Sequence, residues 1–224
     1  LRETGYEWWL RRVEHLLSRV DIARIDHFKA FDEFWAIPAD TDDPAAGEWR
    51  DGPGADFFET VRDRVGELPF LVEDLGFLDE SMVALRDRFE FPGMYVSQYA
   101  DWCAEWDRYK PTNYPENGVA YTSTHDTNTA VGYYEHMDDE QRDCLHYALA
   151  TDGDGIAWDL IEAVWYSDAT LAVTTVQDLL ELGSDARFNT PGTAEGNWRW
   201  RVEADALDDD TADRLADLTD IALR

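Results

Sequence analysis

Lysine is nearly absent from this chain, and basic residues are scarce altogether. Only Lys29 and Lys110 occur among the 224 residues, and 19 Lys and Arg residues face 49 Asp and Glu residues, for a formal net charge of −30. Because so negative a chain repels phosphate backbones and anionic lipid surfaces, we expect no nucleic-acid partner and no membrane partner. The sequence also lacks any run of about 18 apolar residues, which argues against a membrane-spanning helix.

Metal, nucleotide and secretion motifs are lacking as well. Cys103 and Cys144 form no CxxC pair, and the five histidines show no HExxH spacing, so we expect two free, half-buried thiols and no metal site. Neither a GxGxxG motif nor a P-loop is present to hold a nucleotide. No basic-then-apolar leader opens the sequence, so we expect a cytoplasmic protein. The chain begins at Leu1 rather than at a methionine, and we expect it to be part of a longer gene product.

The acidic residues are spread along the whole chain rather than gathered in one tail. This pattern is typical of a solvated surface adapted to high salt, where counter-ions screen the repulsion among carboxylates. The alternative is a surface for cations or a basic partner. The acidic run 152–155 is too short to supply the ligands of a calcium loop.

What is present is an alternation of helices and short apolar strands, in a chain with 44% hydrophobic residues. Thr4 and Glu7 form a capping-box pattern that predicts the start of the first helix. The predicted strands cover 20–26, 68–72, 93–99, 119–124 and 170–176. Further helices are predicted near 55–65, 80–89, 139–150, 156–166 and 210–223.

This order predicts βαβ units and a parallel sheet, and the strands end in polar residues. Catalytic groups at the carboxyl ends of several strands are typical of a (β/α)8 barrel, so the fold class is α/β of the TIM-barrel type. Five predicted strands do not close an eight-stranded barrel. We therefore expect residues 1–224 to be the C-terminal part of one catalytic barrel, with no separate second domain and with three strands ahead of Leu1.

Arg24 and Asp26 are two residues apart on the first predicted strand, so their side chains share one face. The guanidinium would keep the carboxylate ionised, and an ionised carboxylate at a barrel mouth suits a nucleophile that attacks a sugar anomeric carbon. The alternative is an ion pair that only orients the end of the strand.

Two further acids end predicted strands. Glu73 closes an apolar run, where a carboxyl group suits a general acid, and the alternative is a rim glutamate that caps the next loop. His125 and Asp126 lie among threonines that can hydrogen-bond sugar hydroxyls, and the alternative is an Asx-type turn. Two carboxylates in different environments are what glycoside cleavage requires. Trp198 and Trp200, after the Gly/Pro/Asn loop 189–197, belong either to a sugar-stacking rim or to the core.

Five segments stand out in order along nearly the whole chain: RIDHFKAFDEFWAIPA (24–39), LPFLVEDLG (68–76), FPGMYVSQYA (91–100), YTSTHDTNT (121–129) and LGSDARFNTPGTAEGNWRWR (182–201). In these segments the chain resembles the amylomaltase, or 4-α-glucanotransferase, family of glycoside hydrolase family 77. The resemblance implies a (β/α)8 barrel that transfers α-1,4-glucan segments between malto-oligosaccharides with retention. It also implies that no metal or organic cofactor is needed.

Position by position, the resemblance makes Asp26 the nucleophile, Glu73 the general acid/base and Asp126 the third acid, which holds sugar hydroxyls. The residues expected to bind substrate are Arg24, His27, His125, Asn189 and Asn197. The chain departs from the family at Lys29–Ala30, where Arg-Gly is more usual, and at Thr127–Asn128, where Asn-Asp is more usual. These changes concern glucan subsites and leave the acids intact.

Two alternative functions stay open at this point. One is an α-glucan hydrolase on the same barrel, because transfer and hydrolysis differ only in whether a sugar hydroxyl or water reaches the intermediate. The other is a catalytically silent glucan-binding fragment, because the family's N-terminal part is missing. An open barrel exposes strand edges, so we expect the missing N-terminal segment or self-association to cover them.

Salt should stabilise this protein. Repulsion among the surface carboxylates weakens as the Debye length falls to about 3 Å at 1 M salt, so the melting temperature and any activity should rise into the molar range. Thermal melts in low and in molar potassium chloride measure this effect. An equal or higher melting temperature at low salt would contradict the prediction.

Overall fold

The structure, a computed structural model, describes residues 1–76 and 78–224 and belongs to the mixed α/β class that the sequence predicts. The strands are β1 (Ala23–Ile25), β2 (Glu33–Ala36), β3 (Glu48–Asp51), β4 (Phe70–Val72), β5 (Gly93–Val96), β6 (Gly118–Tyr121) and β7 (Leu171–Val173). The helices are α1 (Glu7–Leu17), α2 (Lys29–Asp32), α3 (Gly54–Val65), α4 (Glu80–Arg88), α5 (Ala130–Glu135), α6 (Asp139–Leu149), α7 (Ile156–Trp165), α8 (Val176–Leu179) and α9 (Asp209–Ile221). In the part of the chain that the structure describes, no helix is both long and apolar enough to cross a bilayer.

The chain folds as two compact units, Leu1–Met94 and Tyr95–Arg224. Each of the five strands predicted from the sequence overlaps an observed strand, which is shorter than predicted in every case. The strand predicted over 93–99, for example, ends at Val96 because a 3₁₀ turn begins at Ser97. The expectation of a single partial barrel over residues 1–224 stays a prediction.

An aromatic core fills the first unit. The helix α3 contributes Phe57, Phe58 and Val61, at the spacing that puts residues on one helix face. Phe28, three residues after the end of β1, is fully buried and lies with its ring centroid 5.7 Å from that of Phe58. This core therefore supports the segment that follows β1.

The strands β1 and β4 are adjacent and parallel. Their register pairs Ala23 with Phe70 and Ile25 with Val72. Parallel neighbours need a long crossover connection, and α3 lies in the one that joins these two strands. The residues that follow the two strands consequently leave the sheet at the same edge.

Within the same connection, β2 and β3 form an antiparallel hairpin that the sequence analysis does not predict. Trp35 pairs with Trp49 across it. Its last turn returns close to α2, since Gly52 N donates to the Asp32 carbonyl oxygen at 2.7 Å. A Cβ at residue 52 would lie 2.3 Å from the Phe31 carbonyl oxygen, so this position accepts only glycine without a shift of the backbone.

The strands β6 and β7 of the second unit are parallel neighbours in a sheet of the order β5-β6-β7. The helix α7 forms the centre of the core of this unit. Its buried residues are Ile156, Ala157, Trp158, Leu160, Ile161, Val164 and Trp165. Because α7 is apolar on most of its circumference, the surrounding helices cover it on several sides.

The start of α1 differs from the prediction. Thr4 lies in a 3₁₀ turn, Arg2–Thr4, and its hydroxyl donates to the Leu1 carbonyl oxygen at 2.8 Å. The helix begins at Glu7, with Tyr6 at the N-cap and no side-chain cap. The capping-box prediction is therefore wrong, because the turn occupies the Thr4 hydroxyl.

Cys103 and Cys144 form a disulfide, so the expectation of two free thiols is wrong. Their Cα atoms lie 5.1 Å apart although 41 positions separate them in the sequence. Gln141 of α6 brings the two segments together: its Oε1 accepts from Trp102 N, and its Nε2 donates to Asp101 Oδ1, both at 2.8 Å. The pairing of the two cysteines depends on this tertiary contact, so no local spacing motif in the sequence predicts it.

Reduction of this disulfide should lower the melting temperature. A cross-link across a loop of this length restricts the unfolded chain and stabilises the fold by about 2–4 kcal/mol. For a chain of this size, that corresponds to roughly 4–16 °C. Circular dichroism melts with and without dithiothreitol measure the shift. In the control variant with Cys103→Ser and Cys144→Ser, the reductant should have no effect, and an unchanged melting temperature of the reduced parent would refute the prediction.

Candidate active site

Asp26 and Glu73 directly follow the paired strands β1 and β4. The pairing continues beyond the strands, since Glu73 N donates to the Ile25 carbonyl oxygen at 2.8 Å and Phe28 N donates to the Glu73 carbonyl oxygen at 3.0 Å. Because neighbouring strands lie about 4.8 Å apart, these bonds put the two acids side by side. The structure thus brings together the backbone of two acidic residues that are 47 positions apart in the sequence.

Arg24 holds the Asp26 carboxylate, as the two-residue spacing predicts. Arg24 Nη2 lies 2.5 Å from Asp26 Oδ1. The Arg24 side chain is largely buried, whereas 77% of the Asp26 side chain is exposed. Asp26 therefore has one oxygen fixed by a cation, and most of its carboxylate is accessible to a substrate, which a nucleophile requires.

The Asp26 side chain lines a cavity of about 570 Å³ in the first unit. Aromatic side chains form much of the wall, among them Tyr6, Trp9, Phe31 and Phe57. A mostly apolar cavity of this size with a few polar groups is typical of a small-molecule site.

Backbone N–H groups hold the Glu73 carboxyl group. His27 N donates to Oε2 and Leu75 N donates to Oε1, each at 2.8 Å. His27 has a φ of 49°, a left-handed conformation that costs a non-glycine residue about 1–2 kcal/mol. In this conformation His27 lines the cavity that contains Asp26 and also the cavity that contains Glu73. It therefore lies between the two acids.

A buried ion pair anchors the residue after Glu73. Asp74 is only 1% exposed, and its carboxylate accepts from Arg86 Nη1 at 2.7 Å and from Met94 N at 2.8 Å. The carboxylate fits because residue 93 is glycine, where a Cβ would lie 2.6 Å from Asp74 Oδ2. Charge-assisted bonds of this kind are strong, so Asp74 fixes the end of β4 from which Glu73 projects.

Glu73 lines a second cavity, of about 400 Å³, whose walls include residues of the hairpin. Lys29 Nζ donates to Glu33 Oε1 at 2.9 Å and also to the Asp79 carboxylate. The hydrogen bond from Lys29 lowers the pKa of Asp79 to about 2, and the bonds to Asp79 and Glu33 raise the pKa of Lys29. Trp49 completes this wall, and the sequence analysis did not single it out.

In the second unit, His125 and Asp126 follow β6. His125 Nε2 lies 3.0 Å from Asp126 Oδ2, and Asn189 Nδ2 donates to Asp126 Oδ1 at 2.5 Å. Arg187 donates to the Asp126 carbonyl oxygen at 2.8 Å and to the Asn189 carbonyl oxygen at 2.9 Å. Three of the residues predicted from the sequence therefore form one cluster. Arg187, which was not singled out, holds it together.

A buried aspartate supports this cluster. Asp178 is fully buried, and its carboxylate accepts from the hydroxyls of Thr122 and Ser123 and, at 2.7 Å, from Ala130 N. These three partners stand on either side of the loop 124–129, which carries the cluster. Asp178 consequently ties both ends of that loop to α8.

Trp198 lies beside His125, with ring centroids 5.4 Å apart, and the two residues line a cavity of about 300 Å³. Trp198 is 53% exposed, which favours the rim interpretation over a place in the core. Asn197, in contrast, closes its own loop: Oδ1 accepts from Thr190 N at 2.9 Å, and Nδ2 donates to the Thr193 carbonyl oxygen at 3.0 Å.

The residues predicted from the sequence thus form two groups. Arg24, Asp26, His27 and Glu73 lie together in the first unit, and His125, Asp126 and Asn189 lie together in the second. Asn197 contacts its own loop. Within residues 1–76 and 78–224, no three His, Cys, Asp or Glu side chains are arranged to hold a metal ion.

Comparison with known proteins gives consistent matches. The sequence model of glycoside hydrolase family 77, which is described as 4-alpha-glucanotransferase, matches residues 1–207. The chain is 41% identical over 224 residues to a 4-alpha-glucanotransferase of Synechocystis sp.. The alignment covers 99% of this chain and 44% of that protein. The chain is 40% identical over 222 residues to a 4-alpha-glucanotransferase of Streptococcus pneumoniae, again 44% of that protein.

Among solved structures, the chain is similar to amylomaltase from Streptococcus agalactiae in complex with acarbose. The TM-score is 0.96 at 31% sequence identity, over 100% of this chain and 46% of that one. The chain therefore spans less than half the length of the relatives that it matches.

Replacement of Asp178 should destabilise the second unit. Asp178→Ala leaves two hydroxyls and one backbone N–H without their charged acceptor, so the free energy of unfolding should fall by about 3 kcal/mol or more. Urea denaturation measures this loss. Asp143→Ala, on the exposed face of α6, is the matched control and should change the free energy of unfolding by less than about 0.5 kcal/mol. Equal effects of the two variants would contradict the role of Asp178.

Proposed function

Because the chain belongs to the 4-alpha-glucanotransferase family, glycoside hydrolase family 77, we propose that it is the part of such an enzyme that carries the catalytic acids. The proposed reaction is transfer of α-1,4-glucan segments between malto-oligosaccharides. The observation that carries the proposal is the adjacency of Asp26 and Glu73 at the ends of the paired strands β1 and β4. Retaining glycoside cleavage needs two such neighbouring carboxyl groups.

In the first half of the proposed reaction, an Asp26 carboxylate oxygen attacks the anomeric carbon of the donor glucan. The bond from that carbon to the glycosidic oxygen breaks, and Glu73 gives its proton to the departing oxygen. The product is a glucosyl ester on Asp26. The exposure of Asp26 and its contact with Arg24 support the nucleophile role, because the attacking carboxylate is accessible and the guanidinium fixes one of its oxygens.

In the second half, Glu73 takes the proton from the 4-hydroxyl of an incoming glucan. That oxygen attacks the anomeric carbon, the ester bond to Asp26 breaks, and the α-configuration is restored. The backbone bonds from His27 and Leu75 support this role, because they keep the Glu73 carboxyl group in one position through both halves.

We propose that Asp126, His125 and Asn189 bind hydroxyl groups of the glucan. The support is their mutual hydrogen bonding and the position of Trp198 beside them. The acarbose bound to the similar amylomaltase supports an oligosaccharide ligand.

Three finer proposals follow from the sequence and from family membership. First, the five strands β1 and β4–β7 belong to a (β/α)8 barrel of which the chain is the C-terminal part. Second, the protein works at high salt, which the net charge of −30 supports. Third, transfer exceeds hydrolysis, because the relatives are transferases. Location in the cytoplasm stays a prediction.

A glucan-binding role without turnover is the second candidate. The observation in its favour is length, since the chain spans 44% of the relatives that it matches. The product profile from maltotriose separates the candidates. Transfer yields chains both shorter and longer than maltotriose, hydrolysis yields only shorter chains, and binding without turnover yields no new chains.

Replacement of the two acids should have different effects. Asp26→Asn should lower disproportionation of maltotriose by several orders of magnitude with almost no change in folding, because it removes the nucleophile. Glu73→Gln should still react with α-glucosyl fluoride, whose leaving group needs little protonation, and the sugar should accumulate on Asp26. Peptide mass spectrometry locates that sugar.

Asp21→Asn is the matched control, since Asp21 is exposed just before β1. It should retain full activity. A label on Glu73, or full activity of Asp26→Asn, would reverse or remove the proposed roles.

A further inference from the structure

The hairpin β2–β3 presents one tryptophan beside the proposed acid/base. Trp49 is 53% exposed and lines the cavity of about 400 Å³ that also contains Glu73 and His27. Single exposed aromatic side chains are common at protein surfaces, so exposure alone assigns no role to Trp49. What distinguishes Trp49 is its place at the wall of a cavity next to Glu73, where an aromatic face can contact a bound ligand.

The indole of Trp49 is held in place from two sides. Lys29 Nζ lies 5.1 Å from the centroid of its ring, and Lys29 is itself bonded to Glu33 at the start of the hairpin and to Asp79. Trp35 packs against Trp49 edge to face, with ring centroids 5.4 Å apart. Because these contacts already fix the Trp49 side chain, less of its conformational entropy is lost on ligand binding than for a mobile side chain.

The chemistry of the cavity selects a neutral polyhydroxyl ligand. The carboxylates of Glu33 and Asp79 both accept from Lys29, so this pair of acids is already partly neutralised. The wall sets the carboxyl groups of Glu33, Glu73 and Asp79 against the single ammonium group of Lys29, which disfavours phosphorylated or otherwise anionic sugars. An indole face attracts the C–H groups on one face of a pyranose ring, and carboxylate oxygens accept from its hydroxyls.

We propose that Trp49 is the stacking platform for the glucosyl unit of the leaving or incoming glucan next to Glu73. This inference rests on the proposed function, because it uses the role of Glu73 as acid/base. Glu73 contacts the oxygen that departs with the leaving glucan and the 4-hydroxyl of the incoming one. A platform in the same cavity therefore binds the sugar that carries that oxygen, so Trp49 determines which acceptors the enzyme uses.

The test is maltoheptaose binding to the whole chain, measured by calorimetry for the parent and for Trp49→Ala, Trp49→Phe and Trp106→Ala. Trp106 is 69% exposed and lies in the second unit, so it is a control of the same residue type. We expect Trp49→Ala to raise Kd about tenfold, Trp49→Phe to raise it only about twofold to threefold, and Trp106→Ala to leave it within about twofold. In transfer assays, Trp49→Ala should raise the KM for the acceptor more than it lowers kcat.

Two controls keep the outcome clear. Circular dichroism of each variant reports folding, and ¹⁵N-indole spectra of the parent report directly whether maltoheptaose shifts the Trp49 resonance. A shifted Trp49 resonance, together with the tenfold loss in Trp49→Ala, supports the proposal. Binding or transfer by the parent with an unmoved Trp49 resonance and an unchanged Kd in Trp49→Ala would overturn it while the proposed function stands. A parent that neither binds nor transfers glucan would overturn the proposed function itself.

Discussion

The parallel pairing of β1 with β4 is the interaction on which the candidate site depends. Backbone bonds between the two strand ends put Asp26 beside Glu73, and the His27 N–H reaches across to the Glu73 carboxyl group. The left-handed backbone at His27 is tolerated because Phe28, the next residue, is buried and the ion pair of Asp74 fixes the end of the neighbouring strand. Without this pairing, the two acids would be separate polar residues at two strand ends.

Three of the few basic residues of this chain hold acids at or near the ends of strands. Arg24 contacts Asp26, Arg86 contacts Asp74, and Lys29 contacts Asp79. The 49 acidic residues far outnumber the 19 basic ones, so they cannot each have a basic partner of their own. Most of the acids lie on solvated surfaces. These three cations therefore support the strand ends, whereas others form exposed ion pairs on helices, such as Arg11 with Glu7 and Arg64 with Glu14, and the remaining repulsion is left to be screened by salt.

Local patterns in the sequence predicted most of the regular structure and the candidate acids. The spacing of Arg24 and Asp26 is a property of one strand, and the apolar run before Glu73 is a property of another, so each could be recognised without its neighbours. The capping box at Thr4 failed because a 3₁₀ turn competes for the same hydroxyl. The β2–β3 hairpin was missed because its strands, EFWA and EWRD, show no regular alternation of apolar and polar residues, and its two tryptophans were the available signal.

The sequence by itself determined the α/β class, the family and the identity of the candidate acids, because strand patterns and family motifs are carried by contiguous residues. The tertiary structure alone decided which distant groups meet. The disulfide between Cys103 and Cys144, the network of Asp178, the hold of Arg187 on Asp126 and the position of Trp49 beside Glu73 all join separate segments. The physical reason is that such contacts are set by strand register, crossover connections and helix packing, which no single stretch of the chain specifies.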